Sequence, residues 1–283
     1  MRRSGSASTG SCRGSIATMP TIRANDLEIG YDVVGAGPPL VMLHGATSSG
    51  HHTFAAQIPR LAEAFRVYLP DARGHGTTRW DAANGFSAAW LVDDLTGFVD
   101  GLGLRTFHLV GYSMGAMTAL GFATRAPERL RTLVAIGIST AREPRATVTR
   151  RVMDPVRILR SDPAWAADLA RTLDPVQGPG AWQRLLPAIA ADVASQPILT
   201  AGELRRITPP TLVACGDRDP LVPVGQAWDL ARQVRDGRLL VAPDSGHDVL
   251  TQRPDVANEA LQGFYRSTES VARARADAVS EVP

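Results

Sequence analysis

The chain has 283 residues, of which 44% are hydrophobic and 20% charged, and its formal net charge at pH 7 is +2. This balance is typical of a globular protein with one large core, and it excludes disorder along the whole chain. All 30 basic residues are arginines interspersed with 28 acidic residues. Because a nucleic-acid partner requires clustered positive charge, we expect none.

The two cysteines and the beginning of the chain bear on the compartment. Cys12 and Cys215 are too few for a disulfide framework and lack the spacing of a metal site, which favours a reducing compartment. Residues 1–18 lack the apolar stretch of a signal peptide, and we expect them to be a disordered extension, with Met19 as an alternative start. No segment approaches the ~20 apolar residues of a membrane span. We therefore expect a soluble cytoplasmic protein without a membrane partner.

Strand and helix patterns alternate from residue 19 onward. The apolar runs predict strands at "IGYDVV", "PLVMLHG" and "FRVYL", and the 3.6-residue period predicts a helix at "SAAWLVDDLTGFVDGLG". The strand "FHLVGY", a helix from Met114 to about Arg125 and the strand "LRTLVAIG" follow. Such alternation is typical of a mostly parallel sheet.

Residues 141–207 interrupt the alternation. Their patterns predict short helices in "ATVTRRVMDPVRILRS", "PAWAADLARTL" and "AWQRLLPAIAADVAS", broken at Pro155, Pro163, Pro175, Pro179, Pro187 and Pro197. The strands "TLVACG" and "RLLVAPD" then flank the helix "VGQAWDLARQV". We expect an α/β fold, with a mostly parallel twisted sheet and helices on both faces formed by residues 19–140 and 208–267, a helical cap inserted at 141–207, and a C-terminal tail at 268–283.

The pentapeptide Gly111-Tyr112-Ser113-Met114-Gly115 lies between a predicted strand and a predicted helix. This setting is the one that a nucleophile elbow requires. We expect the two glycines to stand where a side chain would collide with the backbone of a tight turn. The backbone N–H of Met114, at the start of the helix, is expected to face an oxyanion. A purely structural turn is the alternative interpretation of Ser113.

A serine hydroxyl is a weak nucleophile, so this hypothesis requires a base and an acid elsewhere in the chain. His247 follows the last predicted strand in "APDSGHDVL", and Asp219 follows the preceding strand in "CGDRDPLVP". Loops at the carboxyl edge of a parallel sheet gather around one crevice, so we expect Ser113, Asp219 and His247 to meet there. Asp217 is an alternative acid, since sequence does not orient side chains.

The sequence resembles the α/β-hydrolase fold superfamily, in its serine esterase-like branch, over residues 19–266. The resemblance is carried by "LHGATSS", "DARGHGTT", "GYSMGA", "GDRDPLVP" and "GH". It implies that the acid stands in G-x-x-D-x-x-x-P, which favours Asp219 over Asp217. It also implies that the N–H of Ala46, after the His-Gly pair, is a second oxyanion donor beside Met114. Relatives with aspartate at the elbow, such as epoxide hydrolases and haloalkane dehalogenases, are disfavoured by Ser113.

The resemblance implies a serine hydrolase that works through an acyl-enzyme on a small molecule, with no cofactor. We expect no metal, because no cluster of histidines and carboxylates has the spacing of a metal site. The expected substrate is a carboxylic ester or lactone with a small to medium apolar group, since the predicted cap is rich in Leu, Ile, Ala and Trp. Cap arginines are available for a carboxylate. Thioesterase, C–C bond hydrolase and cofactor-free perhydrolase activities are alternatives, as is a hydrolase-like ligand-binding protein. A meta-cleavage-type C–C hydrolase fits less well, because Asp248 rather than an aromatic residue follows His247.

The other histidines and tryptophans have structural interpretations. A loop such as "DARGHG" needs polar side chains that form hydrogen bonds with its backbone N–H and C=O groups, so we expect its polar residues to brace turns. His108 is expected to be buried within its strand. Four residues have both a structural and a substrate-facing interpretation, and we favour the structural one: His51, His52, Trp165 and Trp182. The residues expected to brace turns are His44, Asp71, Arg73 and His75.

Overall fold

An eight-stranded sheet forms the centre of the molecule in the computed structural model, which describes residues 19–280. Its order is β1-β2-β4-β3-β5-β6-β7-β8; β2 pairs antiparallel with β1 and β4, and the other neighbours are parallel. The mostly parallel sheet is confirmed. The expectation for residues 1–18 lies outside the described residues. The strands are β1 Thr21–Ala24, β2 Leu27–Val34, β3 Pro39–Leu43, β4 Arg66–Pro70, β5 Phe107–Tyr112, β6 Leu130–Ile136, β7 Thr211–Gly216 and β8 Gly237–Ala242.

Helices cover both faces of this sheet. In β3, Val41 and Leu43 belong to one core cluster and Leu40 and Met42 to another, because successive side chains of a strand point to opposite faces. Helices α3, α4 and α10 pack in the first cluster, and α2, α11 and α12 in the second. The helices are α1 Gly50–Thr53, α2 Ile58–Leu61, α3 Ala88–Gly101, α4 Met114–Arg125, α5 Arg145–Val152, α6 Pro155–Ser161, α7 Pro163–Gln177, α8 Ala181–Ser195, α9 Ala201–Leu204, α10 Val224–Gln233, α11 Val249–Gln252 and α12 Pro254–Ser280, with 3-10 turns at Ala82–Asn84 and Pro127–Arg129.

The chain between β6 and β7 forms α5 to α9, here called the helical insertion. Its apolar side chains form a third hydrophobic cluster, separate from the two on the sheet. Ala46 and Met114, which follow β3 and β5, pack against this cluster. The insertion therefore lies over the carboxyl ends of these central strands. The buried members of its cluster are Ile158, Ala166, Leu169, Leu173, Trp182, Leu185, Leu186 and Ile189.

Two of the predicted helix breaks are wrong, since Pro175 lies inside α7 and Pro187 inside α8. A proline in a helix interior removes a backbone hydrogen bond and costs about 3 kcal/mol. On α8 this cost is offset by the burial of Leu185, Leu186 and Ile189, because each buried aliphatic side chain contributes about 1.5–3 kcal/mol. Tertiary packing thus carries the helix through its proline.

The last helix extends beyond the expected boundary of the core. α12 continues through residue 267 to Ser280, and Thr268, at the start of the expected tail, is buried and donates from Oγ1 to the carbonyl oxygen of Phe264 at 3.0 Å. The tail expectation for residues 281–283 lies outside the described residues. Among residues 19–280, no helix combines the length and the apolar character needed to cross a bilayer.

Candidate active site

Ser113 lies in a strained turn between β5 and α4. Its φ of 52° and ψ of −110° are rarely adopted by L-residues, and its N–H donates to the carbonyl oxygen of Ile136 at 2.8 Å. A Cβ at Gly111 would lie 2.3 Å from the carbonyl oxygen of Gly115. A Cβ at Gly115 would lie 2.2 Å from the carbonyl oxygen of Leu43. Only glycine fits on either side of the serine, so the spacing of the pentapeptide is a steric requirement of this turn.

The Ser113 side chain begins a hydrogen-bonded chain of three residues. Its Oγ is 2.9 Å from His247 Nε2, and His247 Nδ1 is 2.8 Å from Asp219 Oδ2. The other carboxylate oxygen, Asp219 Oδ1, accepts from the N–H groups of Leu221 at 2.8 Å and Val222 at 3.1 Å. The Asp219 side chain is fully buried, whereas that of His247 is 21% exposed. With its Nδ1–H directed to the carboxylate, His247 presents Nε2 as an acceptor to the serine hydroxyl.

Asp217 has a different partner. Its Oδ1 accepts from the backbone N–H of Ser245 at 3.0 Å, and this hydrogen bond lowers the pKa of the Asp217 carboxyl. Ser245 precedes His247 by two residues, so Asp217 braces the loop that carries the histidine. The structure brings Asp219, and not Asp217, into contact with the imidazole.

Two residues with free backbone N–H groups, Ala46 and Met114, line the same cavity as Ser113. Met114 is the first residue of α4, so its N–H has no acceptor within the helix. Ala46 follows β3, and in the part of the chain that the structure describes its N–H makes no hydrogen bond. The next residue, Thr47, has a φ of 69° and donates from Oγ1 to the Ala46 carbonyl oxygen. Free N–H groups next to a hydroxyl are suited to stabilise a negatively charged oxygen.

A cavity of about 950 Å³, including its mouth, lies between the carboxyl ends of the strands and the helical insertion. Ser113 and His247 line it together with Trp165, whereas Trp182 is buried in the cluster of the insertion. The charged side chains from the insertion are Arg145 and Asp192, neither of which the sequence analysis singled out. Most of the remaining wall is apolar, with Phe86, Leu91, Met117, Ile138, Val152, Met153, Ile189, Val193 and Leu221.

Comparison with known proteins assigns the fold to a family. The family model of the Alpha/beta hydrolase family matches residues 40–260. The chain belongs to this family. The resemblance inferred from the motifs is therefore confirmed.

Individual α/β hydrolases are similar to the chain over nearly their whole length. The serine hydrolase BPHL of Mus musculus is 26% identical, covering 89% of this chain and 88% of that protein. The pimeloyl-(acyl-carrier protein) methyl ester esterase of Aeromonas hydrophila is 26% identical, covering 84% and 99%. The solved structure of an N-acyl homoserine lactone degrading enzyme is also 26% identical, with a TM-score of 0.71 and coverage of 87% and 100%. These relatives support hydrolase activity.

In this α/β hydrolase, polar side chains fix the loops that carry the site. His44 donates from Nδ1 to the carbonyl oxygen of Gly45 at 2.7 Å, and its Nε2 accepts from the N–H of Ala72 at 2.9 Å. Burial lowers the pKa of His44, so the ring is neutral. Asp71 Oδ1 accepts from the N–H of Gly50 at 3.1 Å. These contacts tie the loop after β3, which contains Ala46, to the loop after β4.

The loop after β4 also contains a buried ion pair. Arg73 donates from Nε to Asp94 Oδ2 at 2.7 Å and from a terminal nitrogen to Oδ1 at 2.8 Å, and both residues are buried. Its guanidinium lies 5.0 Å from the ring of Trp90. The neighbouring His75 contacts the Arg73 carbonyl oxygen through Nδ1, and burial lowers the His75 pKa to about 3. The loop is thereby fastened to α3.

We expect Arg73→Met to lower the free energy of unfolding by about 3–5 kcal/mol, because it leaves the Asp94 carboxylate buried without its partner. Urea denaturation at pH 7 measures this change. Arg125→Met is the matched control: Arg125 pairs with Asp93 at 2.7 Å, but both side chains are about half exposed, so a change below about 1 kcal/mol is expected. Equal losses in the two variants would contradict the importance of the buried pair.

The remaining candidate residues lie outside the cavity wall. His51 and His52 lie in α1, where the Ser49 side chain accepts from the N–H of His52. His108 is buried in β5 with its Nδ1 2.8 Å from Thr132 Oγ1, and burial lowers its pKa to about 4. Burial raises the pKa of the Cys215 thiol to about 11, which makes it a poor nucleophile. Within residues 19–280, no group of three or more metal-ligating side chains is placed to hold a metal ion.

Proposed function

We propose that the protein is a serine hydrolase that cleaves a carboxylic ester or lactone through an acyl-enzyme intermediate. The observation that carries the proposal is the chain of hydrogen bonds from Ser113 through His247 to Asp219, at the wall of a largely apolar cavity. In this proposal Ser113 is the nucleophile, His247 the base and Asp219 the acid. The hydroxyl and imidazole are already within proton-transfer distance.

In the first step, His247 Nε2 accepts the proton of Ser113 as its Oγ attacks the substrate carbonyl carbon. The carbonyl π electrons move to the oxygen, and the N–H groups of Ala46 and Met114 hold the resulting oxyanion. Asp219 orients the imidazole and stabilises its protonated form. The tetrahedral intermediate then collapses, and the leaving alkoxide takes the proton from His247.

In the second step, a water molecule attacks the acyl-enzyme while His247 accepts one of its protons. Collapse of this second intermediate breaks the bond to Ser113 Oγ, which recovers its proton from His247 and releases the carboxylic acid. With a lactone, the leaving alcohol stays attached to the acyl group, and a hydroxy acid is released. No cofactor enters either step.

The helical insertion is proposed to act as a cap. On this assignment, residues 141–207 cover a core formed by residues 19–140 and 208–267. Support comes from the packing of Ala46 and Met114, on the core side, against the hydrophobic cluster of the insertion. An apolar cover of this kind limits the access of bulk water to the cavity and strengthens the hydrogen bonds to the oxyanion. It also favours substrates with a small to medium hydrocarbon group.

Covalent labelling tests the proposal directly. We expect a fluorophosphonate to label the native protein once, at Ser113, as located by peptide mass spectrometry, because only a serine with an adjacent base is activated. Heat-denatured protein, in which His247 no longer contacts Ser113, is the matched control and should remain unlabelled. Activity is measured on a panel of esters, lactones and thioesters of equal acyl length. The unlabelled protein should turn over esters or lactones fastest, and the labelled protein should be inactive on the whole panel.

The same panel separates the alternatives. Preference for thioesters would assign a thioesterase instead. Absence of both labelling and turnover would contradict an enzyme and favour a ligand-binding protein on this scaffold.

A further inference from the structure

A buried cation lines the proposed active-site cavity without a protein partner. Arg145, the first residue of α5, is only 7% exposed and lines the cavity that also contains Ser113 and His247. Among residues 19–280, no side chain forms an ion pair with Arg145, and no hydrogen bond from its guanidinium is formed. Its Nε is fully buried with no acceptor. An unpaired buried charge is costly, so such a group calls for a ligand.

The packing of the insertion does not depend on this guanidinium. Arg142, which precedes α5, donates to the carbonyl oxygens of Ala194 and Gln196 and thereby binds the end of α8. Arg142 therefore satisfies the last carbonyl groups of that helix, as a basic side chain at a helix C-terminus commonly does. Arg145 makes no equivalent contact, although its helix packs against the same α8. A structural role accounts for Arg142 and leaves Arg145 unexplained.

The charge of the site supports an anionic ligand. Burial lowers the pKa of Arg145 to about 10, so the side chain remains a cation at neutral pH. The nearest acidic group of the cavity, Asp192, accepts from the N–H of Ala88 at 3.1 Å, and burial raises its pKa. The two side chains do not form an ion pair with each other. Arg145 thus keeps the N–H groups of its two terminal nitrogens available for a ligand.

We propose that Arg145 binds a free carboxylate of the substrate, so that the ester or lactone cleaved at Ser113 belongs to a molecule with a second, ionised carboxyl group. This inference rests on the proposed function. The planar guanidinium matches a carboxylate with two parallel hydrogen bonds. Apolar side chains of the same cavity wall, among them Ile138 and Val193, accommodate a hydrocarbon spacer. A dianionic phosphate is disfavoured, because Asp192 lies in the same wall and Arg145 is the one arginine of that lining.

Matched substrate pairs test the assignment. We compare methyl half-esters of dicarboxylic acids of four to eight carbons with methyl esters of monocarboxylic acids of equal length, and follow acid release in a pH-stat. For at least one length, kcat/KM of the native enzyme should be higher for the half-ester by about tenfold or more, as expected for a charge-assisted contact. Arg145→Gln should remove this preference, so that kcat/KM of the variant for the half-ester is no higher than for the neutral ester of equal length.

Two further variants complete the design. Arg151→Gln removes an exposed arginine from the same helix, outside the cavity, and should keep the preference. Arg145→Lys retains the charge but lacks the planar fork, so an intermediate preference is expected; it also supplies the readout if Arg145→Gln does not fold. An equal preference for half-esters in the native enzyme and both Arg145 variants would overturn the inference. Turnover of either ester series would still support the proposed function.

A binding measurement separates the two hypotheses when turnover is absent. Failure of the native protein to hydrolyse either series would count against the proposed function alone. Calorimetric titration with the dicarboxylates glutarate and adipate would then measure carboxylate binding at Arg145 directly. Binding to the native chain that is lost in Arg145→Gln supports the inference, and no binding, or equal binding to both, overturns it.

Discussion

Ser113→Ala should abolish ester hydrolysis, with a fall in kcat of about 10⁶-fold, as in other serine hydrolases that lose their nucleophile. The reason is that the alanine methyl group cannot form a covalent bond to the acyl carbon. The fold should be retained, because among the described residues the Ser113 Oγ forms a hydrogen bond only with His247, and the backbone hydrogen bonds of the turn do not involve it. Steady-state kinetics and a thermal melt measure the two parts, with the Tm expected to shift by less than about 4 °C.

Ser195→Ala is the matched control for this experiment. Ser195 lies on the exposed side of α8, where its hydroxyl donates to the Ala191 carbonyl oxygen, and it does not line the cavity. Its activity should equal that of the native enzyme. Native-like turnover by Ser113→Ala, in protein whose mass excludes native contamination, would assign the nucleophile to another residue.

Much of the sheet could be predicted because its strands have a distinctive pattern. Both faces of β3 are covered, so its residues form the continuous apolar run "PLVML" with no polar residue in between, and the ends of this run predict the ends of the strand. The four-residue strand β1, Thr21–Ala24, was not predicted, since its only buried residue is Ala24 and so short a segment offers no periodicity. Strand length and burial therefore decide what sequence patterns reveal.

The helical insertion was predictable only in outline. Helix periodicity located α7 and α8, but the prolines inside them suggested breaks that the packing of the insertion overrides. The role proposed for Arg145 had no individual signal, because all 30 basic residues are arginines and the insertion contains many of them. Arg145 is distinguished by being buried while its guanidinium has no ion-pair or hydrogen-bond partner among the described residues. This depends on the three-dimensional arrangement of α5 and α8.

The candidate site was predictable where topology alone decides it. The setting between β5 and α4 placed Ser113 at the carboxyl edge of the sheet, and the loops after β7 and β8 had to converge on the same edge. The orientation of two carboxylates in one loop was beyond the sequence. Asp219 is held by the N–H groups of Leu221 and Val222, and these local hydrogen bonds direct its second oxygen towards His247.

This difference in orientation leads to the second large expected effect. Asp219→Asn should lower kcat by about 10⁴-fold, as the same change does in other Ser-His-Asp enzymes. An amide nitrogen facing His247 Nδ1 would favour the tautomer with the proton on Nε2, and this tautomer cannot accept the proton of Ser113. The loss of negative charge would also remove the stabilisation of the imidazolium. Steady-state kinetics on the preferred ester measures the change.

Asp217→Asn is the matched comparison, since it makes the same substitution two residues earlier in the same loop. The substituted side chain keeps a carbonyl oxygen that can accept from the Ser245 N–H, so the loop bearing His247 should hold its position and kcat should fall by less than about tenfold. The ratio of the two effects therefore isolates the charge and tautomer control at the imidazole from general damage to the loop. A larger loss at position 217 than at 219 would transfer the acid role to Asp217 and require His247 to rotate away from the contact described above.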